Sequence, residues 1–161
     1  MSLVIRQADY ENPADGAAIV ALLDAYARDP MGGGEPLKAA TKDTLVSELA
    51  KRPFALSILA FSDDEPVGLI NAFEAFSTFK AAPILNLHDI AVLPHHRSKG
   101  IARKMMQKAE DIARERGCCK LTLEVLSGNA TALAAYRNFG FDNYQLDPEA
   151  GTAQFMEKPL S

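Results

Sequence analysis

Apolar positions along this chain recur with two periods, and each change of period marks the boundary of an element. Leu3 to Ala8 reads as a short first strand. After Asn12-Pro13 the apolar residues Ile19, Leu22, Leu23 and Tyr26 fall at helical spacing, and Asp29-Pro30 ends that helix. Met31-Gly32-Gly33-Gly34-Glu35-Pro36 then reads as a flexible loop. A second helix starts near Thr41, turns Leu45, Val46 and Leu49 inward, and stops before Pro53. Phe54 to Phe61 is apolar and suited to a strand; Ser62-Asp63-Asp64-Glu65-Pro66 turns the chain into Val67 to Thr78, which makes a hairpin. Ala81-Ala82-Pro83 breaks the pattern before a further strand, Ile84 to Leu93.

The strongest helical pattern runs from about Gly100 to Arg116, with Ile101, Met105, Ala109, Ile112 and Ala113 on the inward face and Gly117 as the stop. Cys119 to Leu126 alternates as a strand. Asn129 caps a helix to about Asn138, Gly140 ends it, and two last strands are expected around Asp147-Pro148-Glu149-Ala150-Gly151. A hairpin-rich first half leading into a β-α-β crossover implies an α/β domain with a mixed sheet and helices packed on it. No linker-like stretch interrupts residues 1–161, so one domain is expected.

Composition narrows the function classes. With 17 Lys+Arg against 21 Asp+Glu, the net charge of −4 argues against a nucleic-acid binder. No apolar run approaches the ~20 residues of a membrane helix. Met1-Ser2-Leu3-Val4-Ile5-Arg6 lacks the layout of a signal peptide, so a cytoplasmic protein is expected. The only cysteines, Cys118 and Cys119, are adjacent and suit neither a disulfide framework nor a metal site. His88, His95 and His96 lack metal-ligand spacing, and no metal is expected.

Chemistry concentrates where the strand Asp89-Ile90-Ala91-Val92 runs into Leu93-Pro94-His95-His96-Arg97-Ser98-Lys99-Gly100-Ile101-Ala102. Gly100 permits a backbone geometry closed to other residues, and the N–H groups at the start of the long helix suit phosphate oxygens. Arg97, Lys99, Arg103 and Lys104 stand there without an acid between His95 and Lys104. Cations at a helix N-terminus oppose the helix dipole, a conflict that an anionic ligand resolves. Neither a Walker A loop nor a dinucleotide fingerprint is present.

At these residues the chain resembles the GNAT superfamily of N-acetyltransferases. Arg97-x-x-Gly100-x-Ala102 is similar to that family's Gln/Arg-x-x-Gly-x-Gly/Ala signature, and Asn129-x-x-Ala132-x-x-x-Tyr136-x-x-x-Gly140-Phe141 is a second match at the right distance downstream. The resemblance implies a mixed, mostly antiparallel sheet with helices on both faces and a splayed parallel pair, here Ile84–Leu93 and Cys119–Leu126. It implies acetyl-CoA as acyl donor. The strand Ile90-Ala91-Val92 would pair with the pantetheine through the backbone of Ile90 and Val92, and the N–H groups of Arg97, Ser98, Lys99, Gly100, Ile101 and Ala102 would take the pyrophosphate. Asn129 would bond the pantetheine arm, with Ala132 leaving room.

Tyr136 would protonate the departing thiolate, since a free phenol has a pKa near ~10 and a thiol about 8.5; its bland alternative is a half-buried core aromatic. Where family members often carry an acidic base, this chain has His88. Strand alternation puts His88, Ile90 and Val92 on one face and Leu87, Asp89 and Ala91 on the other. His88 is either the base or a histidine satisfied by Asp89 or a neighbouring strand; Glu74 and Glu124 are the other candidates.

The resemblance thus implies transfer of an acetyl group to a primary amine by direct attack in a ternary complex. The acidity of the chain favours a small cationic amine. The alternatives are a protein or peptide N-acetyltransferase and a non-catalytic acyl-CoA-binding module. Dimers are common in the family, and the last two strands offer an edge for a homodimer.

Overall fold

Asn12 sets the first helix. Its side-chain oxygen accepts from the Ala14 N–H at 2.9 Å, and Pro13 supplies a preset φ at the first helical position. The computed structural model describes residues 2–161. Its elements are β1 (Leu3–Gln7), α1 (Pro13–Arg28), α2 (Ala39–Ala50), β2 (Ala55–Ser62), β3 (Glu65–Ser77), β4 (Ala82–Val92), α3 (Ile101–Glu115), β5 (Lys120–Leu123) and α4 (Ala130–Phe139). The chain divides into two compact units, the first ending at Leu126 and the second Ser127–Ser161.

In the first unit the strands form one sheet in the order β1-β2-β3-β4-β5. Every pair is antiparallel except β4 with β5, which run parallel. The turn between β2 and β3 consists of Asp63 and Asp64, both at positive φ (50° and 69°), which matches the twist of a two-residue hairpin.

The sheet is covered on both faces, so β2 reads as a nearly continuous buried run rather than an alternating one. Leu59 and Leu69, paired across β2 and β3, pack with Ala18, Ile19 and Leu22 of α1 and Leu49 of α2. One residue on, Ala60 and Gly68 face the opposite way, toward Met105 of α3. A Cβ at Gly68 would lie 3.0 Å from the Met105 thioether, so glycine there lets α3 settle close to the sheet. Met106 joins the expected inward face of α3.

Asp15 on α1 is 1% exposed and would be costly there alone. Arg6 of β1 reaches it with two hydrogen bonds of 2.7 Å, and the Asp9 N–H adds a third at 2.9 Å. Bonding to Arg6 holds the Asp15 carboxyl below its ordinary range, against the opposing effect of burial. This ion pair ties the edge strand to the first helix.

In the second unit, α4 is capped by Asn129, whose Oδ1 accepts from the Ala132 N–H at 3.2 Å, and closed by Gly140 at φ 121°. The two expected last strands do not form. Around the turn Pro148–Ala150 one long backbone bond, Ala153 N–H to Tyr144 O at 3.4 Å, is what remains of a hairpin. Tyr144, Leu146, Phe155 and Met156 are exposed, so the segment buries too little apolar surface to hold a pair of strands. The alternation expected through Leu126 also stops early, with β5 ending at Leu123.

Candidate active site

The turn before α3 has the backbone of an anion site. Gly100 caps the helix at φ 79° and Ser98 sits at φ 62°, left-handed positions that turn successive N–H groups outward. No side chain caps α3, unlike α1 and α4. Among the described residues no backbone carbonyl accepts from the N–H of Ser98, Lys99, Gly100, Ile101 or Ala102. A Cβ built on Gly100 meets nothing within 4 Å, so the cradle is open on that side. The turn therefore fits a diphosphate. Arg97 departs from the expected pattern: its N–H is occupied by Pro94 O at 3.3 Å. Its side chain folds back, with Nε donating to Val92 O at 2.9 Å and Nη2 pairing with Asp29 at 3.2 Å. That carboxylate lies below its ordinary range because it accepts from the Met31 N–H and from Arg97.

β4 leaves β5 halfway along. The parallel pairing runs from Ile84 with Lys120 to Leu87 with Leu123 and stops there. At the same point the pairing of β4 with β3 shifts: Ala72 faces Leu87 while Asn71 faces Asp89, so His88 is an extra residue, a bulge. Beyond it the Leu93 N–H donates to Val67 O in the direction of β3. Alternation then turns the N–H and C=O of Ile90 and Val92 away from β3, toward the gap. The Val92 carbonyl there already accepts from Arg97.

The bulge overturns the expected facing. His88 does not share a face with Ile90 and Val92; it turns to the α1 side together with Asp89, because one extra residue resets the alternation. Both line a cavity of about 360 Å³, walled by Leu23 and Tyr26 of α1, Leu45 of α2 and Phe73 of β3, with Gly32 at its margin. The His88 ring meets Phe73 edge-on at 5.5 Å, and among the described residues no carboxylate pairs with it. The Tyr26 phenol is pushed above its ordinary value, first by burial and then by the Asp89 and Asp29 carboxylates. A larger groove of about 590 Å³ on the outer side of α1 and α2 contains none of these groups.

Glu74 is next to Phe73 on β3 and so points to the other face of the sheet, where it lies 3.8 Å from Arg116. That removes it from the cavity. Glu124 follows β5 and is exposed. Cys118 and Cys119 precede β5, at the end where β4 and β5 are still paired. Burial, and after it Glu74, raises the Cys118 thiol pKa, which keeps it protonated. Among the described residues there is no group of histidines, cysteines or carboxylates that could hold a metal, and no helix long and apolar enough to cross a membrane.

The sequence pattern assigns no site role to Ser57 or Asn71, and to Asp89 only that of a partner for His88. Ser57 and Asn71 carried a usable signal, since each is a polar residue inside a buried apolar run. In the second unit, Tyr136 is half-buried on α4 with its ring edge-on to Phe141 at 6.2 Å. The Asn129 oxygen is used by its own helix, and Ala132 lies one turn on.

The comparisons with known proteins agree with this geometry. Residues 19–141 match the Acetyltransferase (GNAT) family. Streptothricin acetyltransferase from Streptomyces lavendulae is 52% identical over 78 residues, 47% of this chain and 41% of that protein. Aminoglycoside N(6')-acetyltransferase type 1 from Acinetobacter haemolyticus is 30% identical over 97 residues, 58% of this chain and 67% of that one. The chain thus spans from under half to two thirds of these relatives. Among solved structures, the soil-metagenome aminoglycoside acetyltransferase meta-AAC0020 in complex with sisomicin has a TM-score of 0.79 at 14% identity, covering 98% of this chain and 96% of that one. Aminoglycoside N-acetyltransferase AAC(6')-Iy in complex with CoA has a TM-score of 0.74 at 19% identity, covering 98% and 95%. With a turn, a strand divergence and a family match that runs through both, this chain belongs to the acetyltransferase (GNAT) family.

Proposed function

We propose that this protein is an acetyl-CoA-dependent N-acetyltransferase of small cationic amines, acting by direct attack within a ternary complex, with residues 1–161 as one domain. The observation that carries the reading is the cavity at the bulge: His88 and Asp89, the two residues that follow the last β4 residue paired with β5, bring an imidazole and a carboxylate to a space with aromatic and aliphatic walls. An ammonium suits such walls and such a charge. Names of relatives that act on streptothricin, an aminoglycoside and thialysine support an amine acceptor.

When bound, acetyl-CoA supplies an activated acyl group. The turn from Ser98 to Ala102 holds its diphosphate, and the backbone of Ile90 and Val92 binds the pantetheine like an added strand. The amide of Asn129, whose oxygen is engaged in capping, donates through Nδ2, and Ala132 leaves space. His88 takes the proton that the acceptor ammonium must lose, a task suited to a neutral imidazole near pH 7. Tyr136 donates to the departing sulfur. Cys118, protonated and away from the divergence, is unsuited to a covalent intermediate, which favours direct attack.

The test is acetyl-CoA-dependent thiol release with streptothricin, sisomicin and thialysine, set beside neutral amines and an N-terminal peptide. Turnover of a cationic small molecule is expected. Turnover of the peptide alone would move the protein to the peptide-modifying class, and none with any acceptor would overturn the reading.

A further inference from the structure

A row of polar side chains crosses the sheet under α1 and ends on Asp89. Ser57 of β2, Asn71 of β3 and Asp89 of β4 are direct cross-strand partners, one beside the next. Tyr10, just past β1, closes the row at the other end. The distances are 2.9 Å from the Tyr10 hydroxyl to Ser57 Oγ, 2.6 Å from Ser57 Oγ to Asn71 Oδ1, and 3.1 Å from Asn71 Nδ2 to Asp89 Oδ2. Ser57 is 0% and Asn71 3% exposed.

Chemistry gives the row a direction. An ionised carboxylate only accepts, so the amide must present its NH₂ to Asp89 and its oxygen to Ser57. Ser57 has one proton, which goes to that oxygen, and its own oxygen then accepts from the Tyr10 phenol. Burial raises the Tyr10 pKa and so keeps its proton in place, though the bond to Ser57 works the other way. Each bond fixes the next, and the last orients the Asp89 carboxylate. The neighbours of Ser57 on the same face, Ala55 and Leu59, are apolar. An aliphatic residue in its place would avoid the desolvation of a hydroxyl, so the polarity is unexplained by packing alone. Among the described residues no lysine, arginine or histidine pairs with Asp89, which nevertheless faces a cavity.

We infer that Asp89 holds a cationic group of the acceptor, and that Tyr10, Ser57 and Asn71 are positioning residues that fix the carboxylate for it. The inference rests on reading the cavity as the acceptor site. Without Ser57 the Asn71 oxygen loses its donor and the amide is free to tilt, so the bond it gives Asp89 loosens and the carboxylate swings off its aim. The row then sets which acceptors are used, those carrying a positive charge at the right place, and leaves acetyl-CoA binding alone.

The experiment measures steady-state kinetics for sisomicin, streptothricin and thialysine with wild type, Ser57→Ala, Tyr10→Phe and Asp89→Asn, alongside melting curves. For the best acceptor of the wild type, Ser57→Ala should raise the acceptor KM about tenfold, the size of one hydrogen bond to a charged partner. Tyr10→Phe, one bond further away, should raise it about threefold, and Asp89→Asn should exceed both. In Ser57→Ala and Tyr10→Phe the KM for acetyl-CoA and kcat at saturating acceptor should stay within about twofold, a split that loss of fold would not produce. Should Ser57→Ala fail to fold, Tyr10→Phe decides, since it keeps the ring. An unchanged acceptor KM in Tyr10→Phe and Ser57→Ala, with Asp89→Asn impaired, overturns the positioning row but leaves the acceptor site standing. Normal acceptor KM in Asp89→Asn overturns the inference altogether. Wild type inactive on every cationic acceptor overturns both the inference and the function it rests on.

Discussion

Gly100 and Tyr136 separate binding from chemistry at the scale of single residues. At φ 79° a β-branched side chain is strained by about 1–2 kcal/mol, and it would stand in the opening that a diphosphate needs. Gly100→Val should therefore lose acetyl-CoA affinity, read by calorimetry on the folded variant; unchanged affinity would take the phosphate away from this turn. Tyr136→Phe keeps the ring and its contact with Phe141. Its kcat in single turnover should fall about 10²–10⁴-fold, the usual contribution of a positioned acid, with acetyl-CoA affinity retained. A near-normal rate would return Tyr136 to a packing role. Gly100, Asn129 and Tyr136 were readable because each meets a local backbone demand or a fixed spacing. The pairing of Arg97 with Asp29 was not, since it joins residues 68 positions apart whose meeting depends on the whole fold.

Among the elements, β4 carries the consequence of one added residue. Periodicity located the strand but could not reveal the bulge, because alternation assumes one residue per step and His88 breaks that count. The last two strands fail to form for the opposite reason: their pattern suits strands, and too little apolar surface is buried to keep them. Deleting His88 would make the pairing of Asn71 with Asp89 and Ala72 with Leu87 contiguous, with both faces of the sheet unchanged. Bulges bend the strand that contains them. The deletion variant should therefore melt no lower than wild type while binding acetyl-CoA at least about tenfold more weakly, since β4 would no longer turn from β5. Retained affinity would show that the divergence has another cause.

At the scale of the molecule, charge matters twice. The Arg6–Asp15 pair joins an edge strand to α1, and its carboxyl pKa is lowered by folding. A lowered acid pKa contributes stability that is complete above the unfolded value of about 3.9 and is lost as the pH falls through the folded one. Arg6→Ala should cost about 2–3 kcal/mol at neutral pH, somewhat under the ~3–5 of a fully buried pair because Arg6 is itself 43% exposed. Below pH 4 the difference between variant and wild type should narrow in urea melts; a constant difference would mean that the arginine acts through packing.

The four cations between Arg97 and Lys104 stand on a chain of net charge −4, and that contrast has a kinetic consequence. A polyanion approaching the turn is drawn to a local field of the opposite sign, while a polycation is drawn to the molecule at large. Both attractions act before contact, and both fade once the Debye length shrinks from about 10 Å at 0.1 M salt to 3 Å at 1 M. Association rates for acetyl-CoA and for a cationic acceptor should then fall together in stopped flow as salt rises, with dissociation rates almost constant. A flat acetyl-CoA association rate would mean that the turn recognises phosphate only at contact. Two oppositely charged substrates would otherwise pair with each other in solution; on this protein each is drawn to its own region of the surface.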